Sequence, residues 1–327
     1  MADLALNLSA FWAKRSETRT GKPAYHPLLC HLLDVAAMVD ALWGEVLPAE
    51  LRRRIAEGFG IDEPAAGRWL SFWGALHDLG KLSPAFQLRP PDETVAERLR
   101  AAGLSWQPEP PDVVPHGVVT ALALEELLPQ FGLSCELSLR VASLVGGHHG
   151  VFPRSADLND LRGRAAALGG RRWADARSEL ACALALALEL PTERPPLRLD
   201  NATAMVVAGM VSVADWIGSM EECFPYLLDD SGAAGSTNAR HYLEETRQRA
   251  RSALEKLGWT AWPSATDVRS FHQLFPAIEQ PNPLQRAAVA LAERLEGPAL
   301  VVVEAPTGEG KTEAAMYLAD RRASRVG

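Results

Sequence analysis

The chain has 327 residues, of which 47% are hydrophobic and 23% are charged. These fractions are ordinary for globular proteins, which argues against a disordered chain, and the length is enough for about two domains. The formal net charge of -8 excludes an overall basic surface for nucleic acid, so a phosphate-bearing substrate would have to be attracted locally, by metals or by a small basic cluster.

The cysteines and the apolar segments indicate in which cellular compartment the protein is expected. Cys30, Cys135, Cys182 and Cys223 form no CxxC pair and stand in apolar surroundings, which is typical of free thiols in a reducing compartment. The N-terminus does not resemble a signal peptide. The longest apolar run, residues 202–214, is too short to span a bilayer and predicts a core helix. We therefore expect a cytoplasmic protein with no membrane partner.

The first predicted elements are helices. A polar stretch at 14–23 precedes apolar residues that recur at helical spacing between positions 32 and 43. His31 opens this helix, and Asp34 lies one turn further, so both can face the same side. His26 precedes Pro27 and is predicted to lie in a loop. A second helix is predicted at 49–57, and a third begins near residue 64 and leads into His77 and Asp78.

The middle of the chain combines loops with further helices. Six prolines fall between Pro90 and Pro115, with one short helical pattern at 95–102, and His116 ends this irregular stretch. Helices are predicted at 118–128 and 136–145. The second one ends in GGHHG, whose glycines stop the helix and let His148 and His149 approach one centre. Later helices are predicted within 157–190, at 201–217 with Asp215 near the end, and at 237–257.

Seven potential metal ligands stand near the ends of predicted apolar helices: His31, His77, Asp78, His116, His148, His149 and Asp215. Taken singly, each is more often a helix cap or a surface residue. Together they are about what two neighbouring first-row divalent ions need, with Asp78 as the bridge. Two such ions suit phosphodiester cleavage, and Lys81 could offset charge on the scissile phosphate. The predicted catalytic residues are therefore His77, Asp78 and Lys81.

The segments HLLDVA, GALHDLGKLSPAFQ, PHG, GGHHG and ADWIGS, in this order, resemble the HD-type nuclease domain of the CRISPR-associated nuclease–helicase of type I interference systems. The resemblance covers about residues 20–225. It implies an all-helical domain that holds two transition-metal ions (Fe, Mn, Co or Ni) and cuts single-stranded DNA in antiviral defence. It implies one metal on His31, His77, Asp78 and Asp215, and the other on Asp78, His116, His148 and His149. Lys81 would face the phosphate, and Ser219 would lie near the metals.

The resemblance also implies a partner, which is a Cascade-type CRISPR surveillance complex bound to target DNA in full-length members of the family. Two other interpretations stay open at this point. One is an HD phosphohydrolase that acts on nucleotides or on a signalling phosphodiester. The other is a non-catalytic metal-binding remnant that occupies or regulates a partner.

The C-terminal part has a different character. A helix at 284–295, an apolar strand at 299–303 and the loop EAPTGEGKT before another helix indicate the start of a parallel α/β unit. The loop differs from the general phosphate loop because Ala305 stands at the first glycine position. Thr307, Gly308, Gly310, Lys311 and Thr312 are predicted to bind ATP and magnesium. With Gln285 as the adenine-reading residue, the pattern resembles superfamily 2 helicases.

The predicted fold is mainly α: an all-helical HD-domain bundle at 1–262, a linker at 263–281, and an incomplete RecA-like α/β helicase lobe at 282–327. After Thr312 the sequence shows no acidic pair for magnesium and no second motor lobe. A segment this small is marginal alone. We therefore expect a fragment or a truncated product that does not unwind DNA with ATP, since ATP and magnesium would bind only in a full-length helicase.

Overall fold

The structure, a computed structural model, describes residues 10–17, 23–89, 92–107, 113–226, 238–260, 269–296 and 299–326. The chain divides into two compact units, Met1–Leu257 and Gly258–Gly327. The predicted boundary between residues 262 and 263 lies outside the described residues. Phe271, within the predicted linker, is buried in the core of the second unit.

In the described residues of the first unit, the regular elements are helices and one pair of strands. Strands β1 (Trp12–Glu17) and β2 (Pro23–Pro27) pair antiparallel, with an irregularity between Trp12 and Lys14. The expectation of an all-helical domain missed this hairpin, and the loop predicted at His26 is wrong because His26 lies in β2. A residue before proline favours extended backbone, which a strand satisfies as well as a loop does.

The α-helices described in this unit are α1 (Leu28–Ala41), α2 (Ala49–Phe59), α3 (Glu63–Ala75), α4 (Pro84–Gln87), α5 (Glu93–Ala101), α6 (His116–Leu127), α7 (Cys135–Gly146), α8 (Ser155–Arg162), α9 (Ala165–Leu168), α10 (Arg171–Ala187), α11 (Asn201–Gly218) and α12 (Ala239–Lys256). A π-helical turn at Leu42–Val46 and 3-10 turns at Leu79–Lys81 and Leu128–Phe131 complete the described helical elements. Several begin at a side chain that accepts backbone N–H groups: Asp62 caps α3, Ser134 caps α7 and Asp200 caps α11. Such caps satisfy amides that the first turn of a helix leaves without partners.

Helix α1 lies at the centre of the first unit. Every residue from Leu28 to Ala41 except Asp40 is buried, and the helix packs against α3, α11 and α12. A helix that is apolar on all sides is stable only inside a core. Trp69 and Trp73 of α3 are fully buried in the same core. The ends of these packed helices therefore meet in one buried region.

Helix α11 is long and apolar enough, by length and composition alone, to cross a membrane. Half of that stretch is buried inside the protein, and a core helix passes the same test. Helix α11 packs against α1 and carries Asp215, which is also buried.

The second unit contains α13 (Phe271–Leu274), α14 (Pro283–Arg294) and α15 (Lys311–Val326). Ala288 and Ala292 of α14 pack against Ala314, Tyr317 and Leu318 of α15 in a small core. The strand predicted at 299–303 is wrong, because residues 299–310 form neither strand nor helix. A strand needs a hydrogen-bonded neighbour, and within the described residues the sheet contains only β1 and β2.

Candidate metal centre

The turn that follows α3 carries His77 and Asp78. Thr120 of α6 anchors this turn, because its hydroxyl donates to the His77 carbonyl oxygen (3.0 Å) and accepts from the Gly80 amide (2.8 Å). Only glycine fits at position 80, since a Cβ there would lie 2.0 Å from the carbonyl oxygen of His116. The sequence HDLG thus holds His77 and Asp78 directly against the start of α6.

Two glycines let α6 and α7 cross very closely. A Cβ on Gly117 would lie 2.3 Å from the Gly146 oxygen, and a Cβ on Gly146 would lie 2.4 Å from the Gly117 oxygen. This approach brings His116, the first residue of α6, beside the GGHHG turn at the end of α7. His116 Nε2 lies 3.1 Å from His149 Nε2.

The buried half of the centre, which we call the His31 group, consists of His31, His77, Asp78 and Asp215, whose ligand atoms all lie within 4.8 Å of one another. Asp78 Oδ2 is 3.1 Å from His31 Nε2 and 3.3 Å from His77 Nε2. Asp215 Oδ1 lies 3.4 Å from each of the same two nitrogens. Three helix ends, the start of α1, the turn after α3 and the last turn of α11, therefore deliver two imidazoles and two carboxylates to one point.

The more open half, which we call the His116 group, consists of His116, His148 and His149, again with ligand atoms within 4.8 Å. His148 is buried, His116 is half-buried and His149 is exposed. Asp78 Oδ1 lies 3.0 Å from His116 Nε2 and 3.5 Å from His148 Nε2. The two oxygens of Asp78 therefore face different groups, which is the arrangement expected of a bridging carboxylate. The structure brings together all seven ligands predicted from the sequence.

The hydrogen bonds at the rings fit metal ligation. His77 Nδ1 donates to the Gly74 oxygen (2.8 Å) and His148 Nδ1 donates to the Val145 oxygen (2.9 Å), so both Nε2 atoms face the centre, where a neutral ring can ligate a metal through Nε2. Within the described residues, His77 Nε2, His148 Nε2 and Asp78 Oδ1 are buried and have no hydrogen-bond partner. Buried polar atoms without partners are costly, and one metal ion in each ligand group would satisfy all three.

The spacing of the ligand atoms agrees with this fit. At a metal–ligand distance of about 2.1 Å, neighbouring ligand atoms lie about 3.0 Å apart in octahedral and about 3.4 Å apart in tetrahedral geometry. The contacts of Asp78 and Asp215 with His31 and His77 span 3.1 to 3.4 Å. The residues present can therefore hold a divalent metal.

Burial and charge set the protonation of these groups. Burial opposes the charging of His77, but the carboxylates of Asp78 and Asp215 outweigh it and raise the His77 pKa to about 9. Burial and the nearby His77 lower the pKa of His148 to about 3. Burial would raise the pKa of Asp78, but Lys81 and His77 outweigh it and hold that pKa well below the usual range. Burial would also raise the pKa of Asp215, but His77 and His31 outweigh it and lower that pKa. Both carboxylates of the centre are therefore ionised at neutral pH.

Two lysines adjoin the carboxylates. Lys81 is buried, and its Nζ lies 2.6 Å from Asp78 Oδ2 and donates to the Ala13 oxygen at 3.2 Å. Lys14 of β1 donates to the hydroxyl of Ser219, which in turn donates to Asp215 Oδ1 at 3.0 Å. Burial lowers the pKa of Lys14, and the charge of Asp215 opposes that shift. Lys81 and Ser219 were named from the sequence, whereas Lys14 was missed.

Comparison with known proteins decides the family. The model of the family described as "Cas3, HD domain" matches residues 12–224, a stretch that includes all seven ligands. This chain belongs to the Cas3 HD domain family. A CRISPR-associated endonuclease/helicase Cas3 from Thermus thermophilus is 38% identical over 310 residues, which is 94% of this chain and 32% of the relative. The chain thus spans about a third of the length of the curated Cas3 relatives it matches.

Solved Cas3 structures share this fold. The crystal structure of the Thermus thermophilus Cas3 HD domain in the presence of Ni²⁺ matches 78% of this chain and 91% of its own, with a TM-score of 0.57 and 30% identity. A structure titled as a CRISPR RNA-guided surveillance complex before nicking contains a chain matched over 96% of this one and 35% of its own, with a TM-score of 0.61 and 31% identity. The mainly helical fold expected for a Cas3 HD domain is thereby confirmed.

Asp34 lies outside both candidate ligand groups. The helical pattern placed it on the same side as His31, yet Asp34 accepts from His26 Nε2 (2.7 Å), the Tyr242 hydroxyl (3.0 Å) and the Thr246 hydroxyl. This buried network ties β2 and α12 to α1. The partners of Asp34 on α12 follow it by more than 200 residues, so no local pattern indicates them.

The predicted phosphate loop lies outside the residues that the Cas3 HD model matches. Gly308 and Gly310 have positive φ angles of 88° and 72°, and Thr307 precedes them in the same turn. Lys311 begins α15 and donates to the Ala305 and Pro306 oxygens at 2.6 and 2.8 Å. Thr312 is the next, exposed residue of α15. Gln285 is buried, caps α14 with Asn282 (3.0 Å) and lies against Gly310. ATP binding by these residues stays a prediction.

Proposed function

We propose that the first unit is a metal-dependent nuclease domain that cuts single-stranded DNA in CRISPR interference, by two-metal hydrolysis of phosphodiesters. The observation that carries this proposal is the placement of Asp78. Its two oxygens face two separate ligand groups, so one carboxylate can serve two metal positions. Together with membership of the Cas3 HD family, this favours a two-metal site over a single-metal one.

The residues of the chain prepare the site for an anionic substrate. Two divalent ions would activate a water and stabilise charge on the attacking and leaving oxygens of a phosphodiester. His77 and His148 are held by backbone carbonyls with Nε2 directed at the centre. Lys81 is tied to Asp78 and to the Ala13 carbonyl, which fixes a cation beside the site.

The exposure of the ligands supports a polymeric substrate. The His31 group is fully buried, whereas His149 is exposed and the His116 side chain is 21% exposed. The centre therefore opens to solvent on the His116 side, where a DNA strand could reach it. A phosphohydrolase for small nucleotides would instead need a closed pocket around the site, so this alternative is not favoured.

Several features concern full-length Cas3 relatives, and this chain spans about a third of the length of the Thermus thermophilus one. We propose iron, manganese, cobalt or nickel as the metal, since imidazoles with carboxylates suit all four. We also propose a cytoplasmic location and a Cascade-type surveillance complex as the partner. The similarity to a chain in a structure titled as such a complex supports that partner. ATP and magnesium at Lys311 and Thr312 would belong to a helicase of full length.

One assay tests the proposed function. The purified chain is incubated with manganese, cobalt or nickel and circular single-stranded DNA, beside Asp78→Ala and a control, Asp175→Ala, that removes an exposed carboxylate on α10. Metal-dependent nicking by the wild type and by Asp175→Ala, but not by Asp78→Ala, supports the proposal. Nucleotide turnover without DNA cleavage would instead support a phosphohydrolase. Bound metal without either reaction would support a non-catalytic role.

A further inference from the structure

The N-terminal hairpin places a second lysine at the metal centre. Lys14 of β1 donates to Ser219, the residue after α11, and the Ser219 hydroxyl donates to Asp215. Lys14 is therefore linked to a ligand of the His31 group through one serine. The charged neighbours of Lys14 are Asp215, Lys81 and Asp78 at the centre, and Asp34 outside it.

Lys14 is held in a fixed strand and does not lie on a free surface. The Gln87 side chain donates to the Trp12 oxygen (2.9 Å) and accepts from the Trp12 amide (3.2 Å). The Trp12 indole N–H donates to the backbone carbonyl oxygen of Gln87 at 3.1 Å. The Lys81 ammonium donates to the oxygen of Ala13, the residue directly before Lys14. These bonds fix β1 against residues 81–87, the segment that follows the His77–Asp78 turn.

The two lysines differ in what they can bind. Lys81 is 7% exposed and directed at Asp78, whereas Lys14 is half-buried and closer to solvent. An ammonium has three N–H donors, and within the described residues the Lys14 ammonium donates one hydrogen bond, to the Ser219 hydroxyl. Because Ser219 stands between Lys14 and Asp215, Lys14 is not the direct counter-ion of that carboxylate.

We propose that Lys14 binds a phosphate of the DNA strand at this site, with Ser219 holding its ammonium in place beside Asp215. This inference rests on the proposed nuclease function. A lysine acts as a compact point charge with several donors, which suits a phosphate oxygen that approaches from solvent. Lys14 would then act on the substrate, while Lys81 acts mainly through Asp78.

The test compares Lys14→Ala, Lys14→Arg and a control, Lys256→Ala, which removes an exposed lysine at the end of α12. Binding of a fluorescently labelled single-stranded oligonucleotide is measured by anisotropy, in EDTA and over a salt series, so that cleavage cannot interfere. Lys14→Ala should weaken binding roughly tenfold and reduce the slope of log affinity against log salt by about 0.7, the value for one phosphate contact on a single strand. Lys14→Arg should recover most of the affinity, and Lys256→Ala should leave the slope unchanged.

Metal content and nicking kinetics complete the test. Lys14→Ala should keep the metal content of the wild type and raise the KM for DNA more than it lowers kcat. Unchanged affinity and salt slope, together with lost metal or a lower kcat alone, would overturn the proposal and leave Lys14 as a positioning residue for Asp215. A wild-type chain that binds but does not cut DNA would contradict the nuclease function, yet the salt slope of Lys14→Ala would still decide the role of Lys14.

Discussion

Thr120 connects the fold to the metal centre through two hydrogen bonds. Its side chain is fully buried, and its hydroxyl bonds both the His77 carbonyl and the Gly80 amide. Thr120→Val keeps the shape of the side chain but leaves both backbone groups without this partner. Each unsatisfied buried group costs about 1–3 kcal/mol, so Thr120→Val should destabilise the first unit by about 2–6 kcal/mol. Thr120→Ser keeps the hydroxyl, loses one methyl group and should cost only about 1 kcal/mol.

The comparison of these two variants is made by urea unfolding and by metal titration. Thr120→Val should also weaken metal binding, because the turn that carries His77 and Asp78 loses its anchor, whereas Thr120→Ser should bind metal nearly as the wild type does. Equal stability of the valine and serine variants would refute the idea that the hydroxyl holds this turn. A stability loss in Thr120→Val with unchanged metal affinity would refute its link to the centre.

Three further predictions concern the parts that position the site. Gly117→Ala places a Cβ 2.3 Å from the Gly146 oxygen, so it should destabilise the unit by about 1–3 kcal/mol and lower metal binding at the His116 group, measured by unfolding and metal titration. Gly209→Ala, in the exposed middle of α11 with open space around it, should instead stabilise the unit by about 0.5–1 kcal/mol. Asp92 caps α5 and accepts a hydrogen bond from the Tyr25 hydroxyl. Burial alone would raise the Asp92 pKa, but these hydrogen bonds stabilise the carboxylate and lower the pKa below its usual value. Because the folded pKa lies below the unfolded one, the stabilisation is present above about pH 4 and is lost as the pH falls further, so Asp92→Asn should give a flatter acid-unfolding profile than the wild type. An identical acid profile for Asp92→Asn would argue against this contribution.

Sequence patterns within a few turns of the chain were enough to predict helices and helix ends, because these depend on residues that are near in sequence. Helical periodicity placed α1, α3 and α11, and the glycines of GGHHG marked the end of α7. The ligands could be named because His and Asp at the ends of apolar helices are costly without a partner. The family resemblance then divided these candidate ligands into two groups. The distances from the Asp78 oxygens to His31 and His116 place Asp78 between the two groups.

The parts that escaped prediction depend on contacts between distant residues. Lys14 stands in a polar stretch with no local signal, and only the pairing of β1 with β2 and the bonds of Gln87 to Trp12 bring it to the centre. Thr120 is an ordinary helix residue until Gly80 approaches it. The apolar run at 299–303 carries the composition of a strand, but composition cannot supply the neighbouring strand that it needs.

The central claim is that Asp78 serves two metal positions, and metal content per chain tests it most directly. Wild type, Asp78→Ala, His31→Ala and His116→Ala are loaded with manganese or nickel, desalted, and analysed by inductively coupled plasma mass spectrometry, with circular dichroism to confirm folding. The distances predict two ions in the wild type and none in Asp78→Ala. His31→Ala and His116→Ala should each lose mainly one ion, since each removes a ligand from only one group. Equal losses in all three variants, or an Asp78→Ala chain that keeps one ion, would contradict the claim.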